Sequence, residues 1–244
     1  MLLILMYHRV YQVAQISNAF ETHLRFLSDH YPLVLPGDDL PSSELAICLT
    51  FDDATVDFYH LVFPLLQKFS KQAILAIPTA WVADHIAVPI QERLALQEMA
   101  AKHYQTSTSA GLCSWEEIYQ MHTSGYVHCA AHGHKHLNMS ALPSANIIQE
   151  LEYSKSILHQ KLGQLPTTYV YPYGRTNHKV QSQVTQYYPY AMRIGAAVNA
   201  NWAGNKGLLY RVDAEKFWPF GKLWSYTETM RWHFKYFINR LRNK

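Results

Sequence analysis

The sequence predicts an α/β fold built on a parallel sheet. Short apolar runs, typical of strands buried on both faces, recur along the chain. Segments with apolar residues at helical spacing separate these runs. The alternation indicates successive βα units. A chain of 244 residues with 49% hydrophobic and 16% charged residues can bury a large core, which excludes intrinsic disorder.

Six strands are predicted, and unusual residues follow four of them. The strands cover Leu2–Tyr7, Leu45–Phe51, Ala73–Ile77, Tyr126–Ala131, Thr168–Tyr171 and Ala191–Ala197. The residues that follow their carboxyl ends are His8, the pair Asp52-Asp53, His132 and Tyr173. Active sites of parallel α/β barrels lie at this edge of the sheet, so we expect the functional site there.

The segments between the strands are predicted as helices. They cover Asn18–Asp29, Val56–Phe69, Ile90–His103, a helix from Ser114 to Gly125, Ala145–Leu162 and His178–Tyr188. Asn18 and Ser114 are the expected N-caps, and Glu117 would complete a capping box with Ser114. Gly163 is the expected C-terminal stop, and Pro64 is expected to kink its helix or to mark the first turn.

Composition gives a prediction of cellular location. The three cysteines, Cys48, Cys113 and Cys129, form neither a CxxC pair nor an even disulfide framework, as in proteins of a reducing compartment. The first eight residues have no basic region, only a short apolar run and no cleavage site, so we interpret them as a strand rather than a signal peptide. We predict a cytoplasmic protein.

The C-terminal segment is basic and aromatic. Six basic residues and one acidic residue lie between Lys222 and Lys244, while the chain as a whole has a net charge of only +3. We therefore divide the chain into a domain over residues 1–220 and a C-terminal helix within residues 221–244. Two interpretations of this helix stay open: docking on the domain, or peripheral contact with the anionic inner face of a membrane, with Trp224 and Trp232 at headgroup depth. The charge pattern does not suggest a nucleic-acid partner.

A histidine cluster directly after the fourth strand predicts a metal site. His132 and His136 are spaced so that both imidazoles can face one point. His134, between them, is expected to point away or to support the ligands. Isolated histidines are more often structural, but three within five residues favour ligation.

The aspartate pair predicts two different roles for adjacent carboxylates. One would complete a set of two histidines and one carboxylate around a divalent cation, for which we expect zinc. The other would stay beside the bound water as a general base. The alternative is a structural turn with an aspartate as a helix cap.

The motifs LTFDDA, HGHKH and YPYG, in this order, resemble those of the polysaccharide deacetylase family, carbohydrate esterase family 4 with the NodB-homology domain. The resemblance implies a distorted parallel (β/α) barrel of about seven strands. It also implies metal-dependent hydrolysis of N-acetyl groups. By motif, Asp52 would be the general base, and Asp53, His132 and His136 the metal ligands. Tyr173 would offer its backbone N–H to the oxyanion.

Three positions depart from the family pattern. Ala54 stands where the first motif usually has glycine, which is tolerable unless the position needs a positive φ. Val170 stands where an arginine commonly pairs with the base. The late Leu-x-His motif is missing, but one permuted branch of the family carries Tyr-His after the first strand. Tyr7-His8 matches that branch, which implies that His8 is the general acid.

The resulting hypothesis is a metal-dependent N-deacetylase of an amino-sugar glycan or a lipid-linked saccharide. A deformylase or amidase acting on a related small amide is an alternative. A two-histidine, one-carboxylate iron oxygenase and a non-catalytic glycan-binding scaffold are the others. The sequence carries no signal for the oligomeric state.

Overall fold

Seven parallel strands close into a barrel in chain order, with the last strand paired to the first. The structure is a computed structural model and describes residues 1–10, 18–103 and 109–241. The strands are β1 (Leu2–Tyr7), β2 (Ala46–Phe51), β3 (Ala73–Ile77), β4 (Val127–Ala131), β5 (Thr168–Val170), β6 (Tyr190–Ile194) and β7 (Leu208–Asp213). The parallel barrel predicted from the sequence is confirmed.

The alternation of side chains along each strand determines what fills the barrel. Ile4, Cys48 and Leu209 belong to a fully buried inner cluster of aliphatic and small side chains. Because side chains two residues apart share a face, the same inward rows continue along β2 and β7 toward Asp52 and Arg211. The interior is therefore apolar along most of its length and charged at the carboxyl end.

Helices cover the outside of the barrel. They are α1 (Ala19–His30), α2 (Phe63–Phe69), α3 (Ile90–His103), α4 (Trp115–Thr123), α5 (Ser144–Leu162), α6 (His178–Tyr187) and α7 (Tyr226–Leu241). One turn of π-helix, Phe58–Val62, leads into α2. Pro64 lies in the first turn of α2, where a backbone N–H has no partner within the helix, so the missing N–H of proline costs no helical hydrogen bond. The outward faces of the strands and the apolar faces of the helices form the larger core.

The helix termini follow two of three predictions. Ser114 and Glu117 form the expected capping box at α4. Gly163 ends α5 in the left-handed conformation, with φ of 73°. The prediction for Asn18 is wrong, because its side chain makes no capping hydrogen bond. Its ψ of 8° departs from the extended conformation that directs an N-cap side chain to the first turn.

Strand β7 was not among the six predicted strands. The run Leu208–Asp213 is buried except at its last residue. It pairs with β6 on one side and with β1 on the other, so it closes the barrel. The predicted late strand also ends earlier than expected, at Ile194, because the chain turns after β6 to reach β7.

The C-terminal helix docks on the barrel through one face. Trp232 of α7 is buried and packs edge-on against Phe217 and Trp224. Trp224 in turn stacks on Tyr31, with ring centroids 4.8 Å apart. The prediction that these two tryptophans lie at headgroup depth is therefore wrong, since both are used to hold the helix against the domain. Arg242 and Lys244 lie outside the described residues.

No helix in the described ranges has the length and apolar character needed to cross a bilayer. The division of the chain at residue 220 stays a prediction.

Candidate active site

Asp53, His132 and His136 come together at the carboxyl end of the barrel. Asp53 follows β2 and the two histidines follow β4. One donor atom from each lies within 4.8 Å of the others. Asp53 Oδ1 is 3.6 Å from His132 Nε2 and 3.4 Å from His136 Nε2. The structure thus brings together the three ligands predicted from the sequence.

Backbone contacts orient His132. Its Nδ1 lies 2.8 Å from the carbonyl oxygen of Val170. A carbonyl only accepts hydrogen bonds, so Nδ1 carries the proton and the lone pair of Nε2 faces the cluster. A histidine held in this way by its other nitrogen is the usual arrangement for a metal ligand.

The three donor groups fit a divalent cation. His136 Nε2 lies 3.1 Å from His132 Nε2, and Asp53 Oδ1 is buried without a hydrogen-bond partner. Burial, together with His132, lowers the pKa of His136 to about 4, so His136 is neutral at pH 7. A buried carboxylate oxygen beside these two imidazoles is stabilised by a cation, and the donor set of two nitrogens and one oxygen suits zinc.

His134 stays outside this set, as expected. Its Nδ1 lies 2.9 Å from the hydroxyl of Thr79, and its ring packs near Tyr153. The loop around it is held by Glu150 of α5, whose buried carboxylate accepts hydrogen bonds from the backbone N–H groups of His134 and Lys135. Glu150 was missed in the sequence because it lies mid-helix, where a glutamate usually faces solvent.

Arg211 forms a buried bidentate ion pair with Asp52. Its two terminal nitrogens lie 2.7 and 2.8 Å from the two carboxylate oxygens of Asp52. Arg211 is fully buried and Asp52 nearly so. Burial raises the pKa of Asp52, but the guanidinium of Arg211, with help from His132 and His8, outweighs it and holds the pKa well below its usual range. Asp52 is therefore an ionised carboxylate at neutral pH.

This ion pair accounts for the departure at Val170. The family pattern commonly has an arginine near the third motif. Here Arg211 of β7 takes its place, on the inward face of the strand that pairs with β1. Arg211 was not predicted as a site residue because β7 was not recognised as a strand. An arginine within the apolar run LLYRVD is the signal that could have identified it, since a charge in a buried strand requires a partner.

His8 lies on the other side of Asp52. Its Nε2 is 3.8 Å from Asp52 Oδ2, and its Nδ1 is 3.4 Å from Glu215 Oε2. Glu215 also accepts hydrogen bonds from the backbone N–H groups of His8 and Arg9. The Thr55 hydroxyl donates to the carbonyl of His8. The residue is thus fixed through its backbone as well as its ring.

Glu215 and Asp52 keep His8 protonated. Desolvation alone would lower the pKa of His8, but the hydrogen bond to Glu215 and the charge of Asp52 raise it to about 9. At neutral pH the site therefore holds an ionised carboxylate and a protonated imidazole side by side. Such a separation of pKa values matches a base and an acid.

Strained backbone surrounds the ligands. Asp53, Ala54, His136 and Tyr173 all have positive φ, between 52° and 69°. Ala54 therefore occupies the conformation that glycine adopts more easily, at a cost of about 1–2 kcal/mol. Strain of this kind concentrates at functional sites.

Tyr173 lies beside the ligand cluster. Its ring centroid is 4.7 Å from that of His136, and its side chain is largely exposed. The following Gly174 packs so closely on Ile194 that an added Cβ would come within 2.8 Å of that side chain. The YPYG turn is therefore held against β6 with Tyr173 at the rim of the site.

The sequence pattern of the family described as polysaccharide deacetylase matches residues 40–192. That is more than half of the chain. The chain belongs to the polysaccharide deacetylase family. The resemblance noted from the three motifs is thereby confirmed.

Two relatives illustrate the sequence similarity within the family. YxkH of Bacillus subtilis (strain 168) is 24% identical over 187 residues, which cover 72% of this chain and 58% of the relative. The poly-β-1,6-N-acetyl-D-glucosamine N-deacetylase of Escherichia coli (strain K12) is 25% identical over 165 residues. That alignment covers 56% of this chain and 23% of the relative. The chain thus spans less than two thirds of either relative.

A solved structure shares the fold. The deacetylase PplD of Streptococcus pyogenes, in complex with acetate, has a TM-score of 0.67 and 21% identity. The match covers 87% of this chain and 91% of that one. The seven-stranded barrel is therefore the NodB-like barrel expected from the motifs.

Proposed function

We propose that this protein is a metal-dependent hydrolase that removes N-acetyl groups from an amino-sugar glycan. One observation carries the proposal: Asp52 Oδ2 lies 3.8 Å from His8 Nε2 and 3.9 Å from His132 Nε2. An ionised carboxylate thus lies between a protonated imidazole and the candidate cation ligands. Base, acid and cation site are all within reach of one amide group.

The proposed roles follow from the protonation states. A divalent cation held by Asp53, His132 and His136 would supply Lewis acidity, lowering the pKa of water and polarising an amide carbonyl. Asp52 accepts the proton of the water that attacks the acetyl carbon. His8 donates its Nε2 proton to the sugar nitrogen as the C–N bond breaks, which releases acetate and the free amine.

Tyr173 is proposed to stabilise the transition state. Its backbone N–H would donate to the oxygen of the acetyl group as negative charge develops there. The left-handed φ of 58° and the close packing of Gly174 fix this backbone segment beside His136.

The substrate class rests on the chemistry of the site and on a relative. The Escherichia coli relative is named for poly-β-1,6-N-acetyl-D-glucosamine. We therefore propose a polymer or oligomer of N-acetylated amino sugar as substrate, with a lipid-linked saccharide as the other glycan form. Two alternative functions do not account for the Asp52–His8 pair. An iron oxygenase does not require a base and an acid at these positions, and a non-catalytic scaffold requires neither residue.

The test is acetate release from N-acetylglucosamine oligomers of β-1,6 linkage by the purified protein, with and without added zinc. We expect zinc-dependent release that Asp52→Asn reduces by about 10²–10⁴-fold, since a positioned general base contributes that much. Parallel N-formyl oligomers distinguish a deformylase. Zinc bound at one equivalent with neither acetate nor formate released would contradict the proposal.

A further inference from the structure

The outward face of α7 carries a continuous apolar stripe. Five of its residues are exposed large hydrophobic side chains, namely Tyr226, Met230, Phe234, Phe237 and Leu241. Six other such residues are scattered over the rest of the described chain. At 100° per residue the five lie within an arc of about 80° and extend along the whole helix.

This stripe is not the face that docks on the barrel. Trp232, on the opposite side of the helix, is 1% exposed, whereas Phe234 is 64% and Phe237 59% exposed. Asn239 also faces the domain, through a hydrogen bond from its side chain to the carbonyl of Gly195. The helix is therefore held in place while its apolar stripe faces solvent, although isolated exposed residues rather than stripes are normal on soluble surfaces.

Basic side chains flank the stripe on both sides. On the same helical projection Arg231 lies about 60° beyond one edge of the stripe and Arg240 about 40° beyond the other, with Lys235 farther round on the side of Arg231. All three are exposed. The one acidic residue of the helix, Glu228, lies 3.4 Å from Arg231 and so is already paired.

We propose that α7 binds the surface of an anionic phospholipid membrane, lying flat with its apolar stripe in the headgroup region. An exposed apolar face bordered by cationic side chains is the arrangement of interfacial helices, and the cations match anionic headgroups. A second copy of the chain fits less well, because packing two such stripes together would bring basic rows against basic rows. The surface is independent of the proposed hydrolysis.

Vesicle flotation of the full chain tests this proposal. We expect the protein to float with phosphatidylcholine vesicles that contain phosphatidylglycerol, and to partition about tenfold less into vesicles of phosphatidylcholine alone. The double variant Phe234→Ser/Phe237→Ser should lose about tenfold or more of the partitioning. The matched control, Tyr119→Ser/Leu165→Ser, removes two apolar side chains elsewhere that are each more than half exposed, and it should float like the unaltered protein.

A charge variant separates the two components of binding. Arg231→Gln/Arg240→Gln, which removes the cation on each side of the stripe, should abolish the preference for anionic vesicles but retain the weaker binding to neutral ones. The proposal is overturned if the unaltered protein binds neither kind of vesicle, or if Phe234→Ser/Phe237→Ser floats normally. It is also overturned if light scattering reveals a dimer that this variant abolishes while vesicles are not bound. Because the altered side chains are exposed, circular dichroism should show every variant folded.

Discussion

The pair formed by Asp52 and Arg211 is a buried charge pair on which both structure and chemistry depend. Two short hydrogen bonds join them inside the barrel, and a third links Arg211 to the hydroxyl of Thr50. Removing one partner of a buried pair leaves an uncompensated charge. This loss destabilises the fold far more than the removal of both partners does.

We therefore expect Arg211→Met to lower the free energy of unfolding by about 3–5 kcal/mol. Adding Asp52→Asn to Arg211→Met should restore part of that loss, because the buried negative charge is then absent as well. Urea denaturation of the two single variants and the double variant measures this coupling. Additive losses in the double variant would contradict the pairing.

The contact between His8 and Glu215 predicts a dependence of stability on pH. The folded pKa of His8, about 9, lies above the unfolded value of about 6.5. A raised folded pKa means that the stabilisation is fully present below about pH 6.5 and is lost as the pH rises through about 9. Relative to His8→Gln, the unaltered protein should therefore lose stability over this interval.

Glu215→Gln provides the control, because it weakens the interaction that raises this pKa. The alkaline limb of the activity profile should move to lower pH in Glu215→Gln, as less of His8 then carries the proton it must donate. An unchanged alkaline limb, or a stability difference that is constant with pH, would show that Glu215 does not hold His8 in its acid form.

The residues of the site differ in how far the sequence could reveal them. Asp53, His132 and His136 are adjacent or closely spaced in the chain, so their motif carries the information. Arg211 and Glu215 contact residues more than 150 positions away, and no local pattern records such a pairing. The positive φ of Ala54 was likewise not predictable from that residue, since alanine gives no local signal for it.

At the level of elements, one helix supports the loop that carries two of the candidate metal ligands. Glu150 on α5 accepts two backbone hydrogen bonds from the loop between His132 and His136. Groups that orient metal ligands typically contribute about 10–100-fold to metal affinity.

Glu150→Ala should accordingly weaken zinc binding by about 10–100-fold. Glu152→Ala, two residues along α5 and exposed, is the matched control and should bind zinc like the unaltered protein. Competition titration with a chromogenic chelator measures both affinities. Equal affinities for the two variants would mean that the loop keeps its geometry without Glu150.

Part of the secondary structure was predictable with its observed bounds. Strands β1 and β3 and helix α3 have the bounds expected from the sequence. Strand β7 was missed because Arg211 interrupts its apolar run, although Asp52, the partner that compensates the charge, lies directly after β2. The π-helical turn before α2 was beyond prediction from apolar spacing, which does not distinguish it from an α-helix.

For the molecule as a whole, barrel closure creates the site. β7 pairs with β1, and this pairing brings Arg211 to Asp52 and Glu215 to His8, while the loops after β4 and β5 add the histidines and Tyr173. The sequence alone predicted the order of elements and the edge at which the site lies. It could not predict contacts that exist only once the first and last strands meet.

The proposed deacetylation depends on a cation held by His132 together with Asp53 and His136. The most direct measurement compares His132→Ala with His134→Ala for zinc content and for acetate release from N-acetylglucosamine oligomers. We predict that His132→Ala loses both the zinc and the activity, while His134→Ala keeps one equivalent of zinc and most of the activity. Retention of zinc-dependent acetate release by His132→Ala would contradict the account.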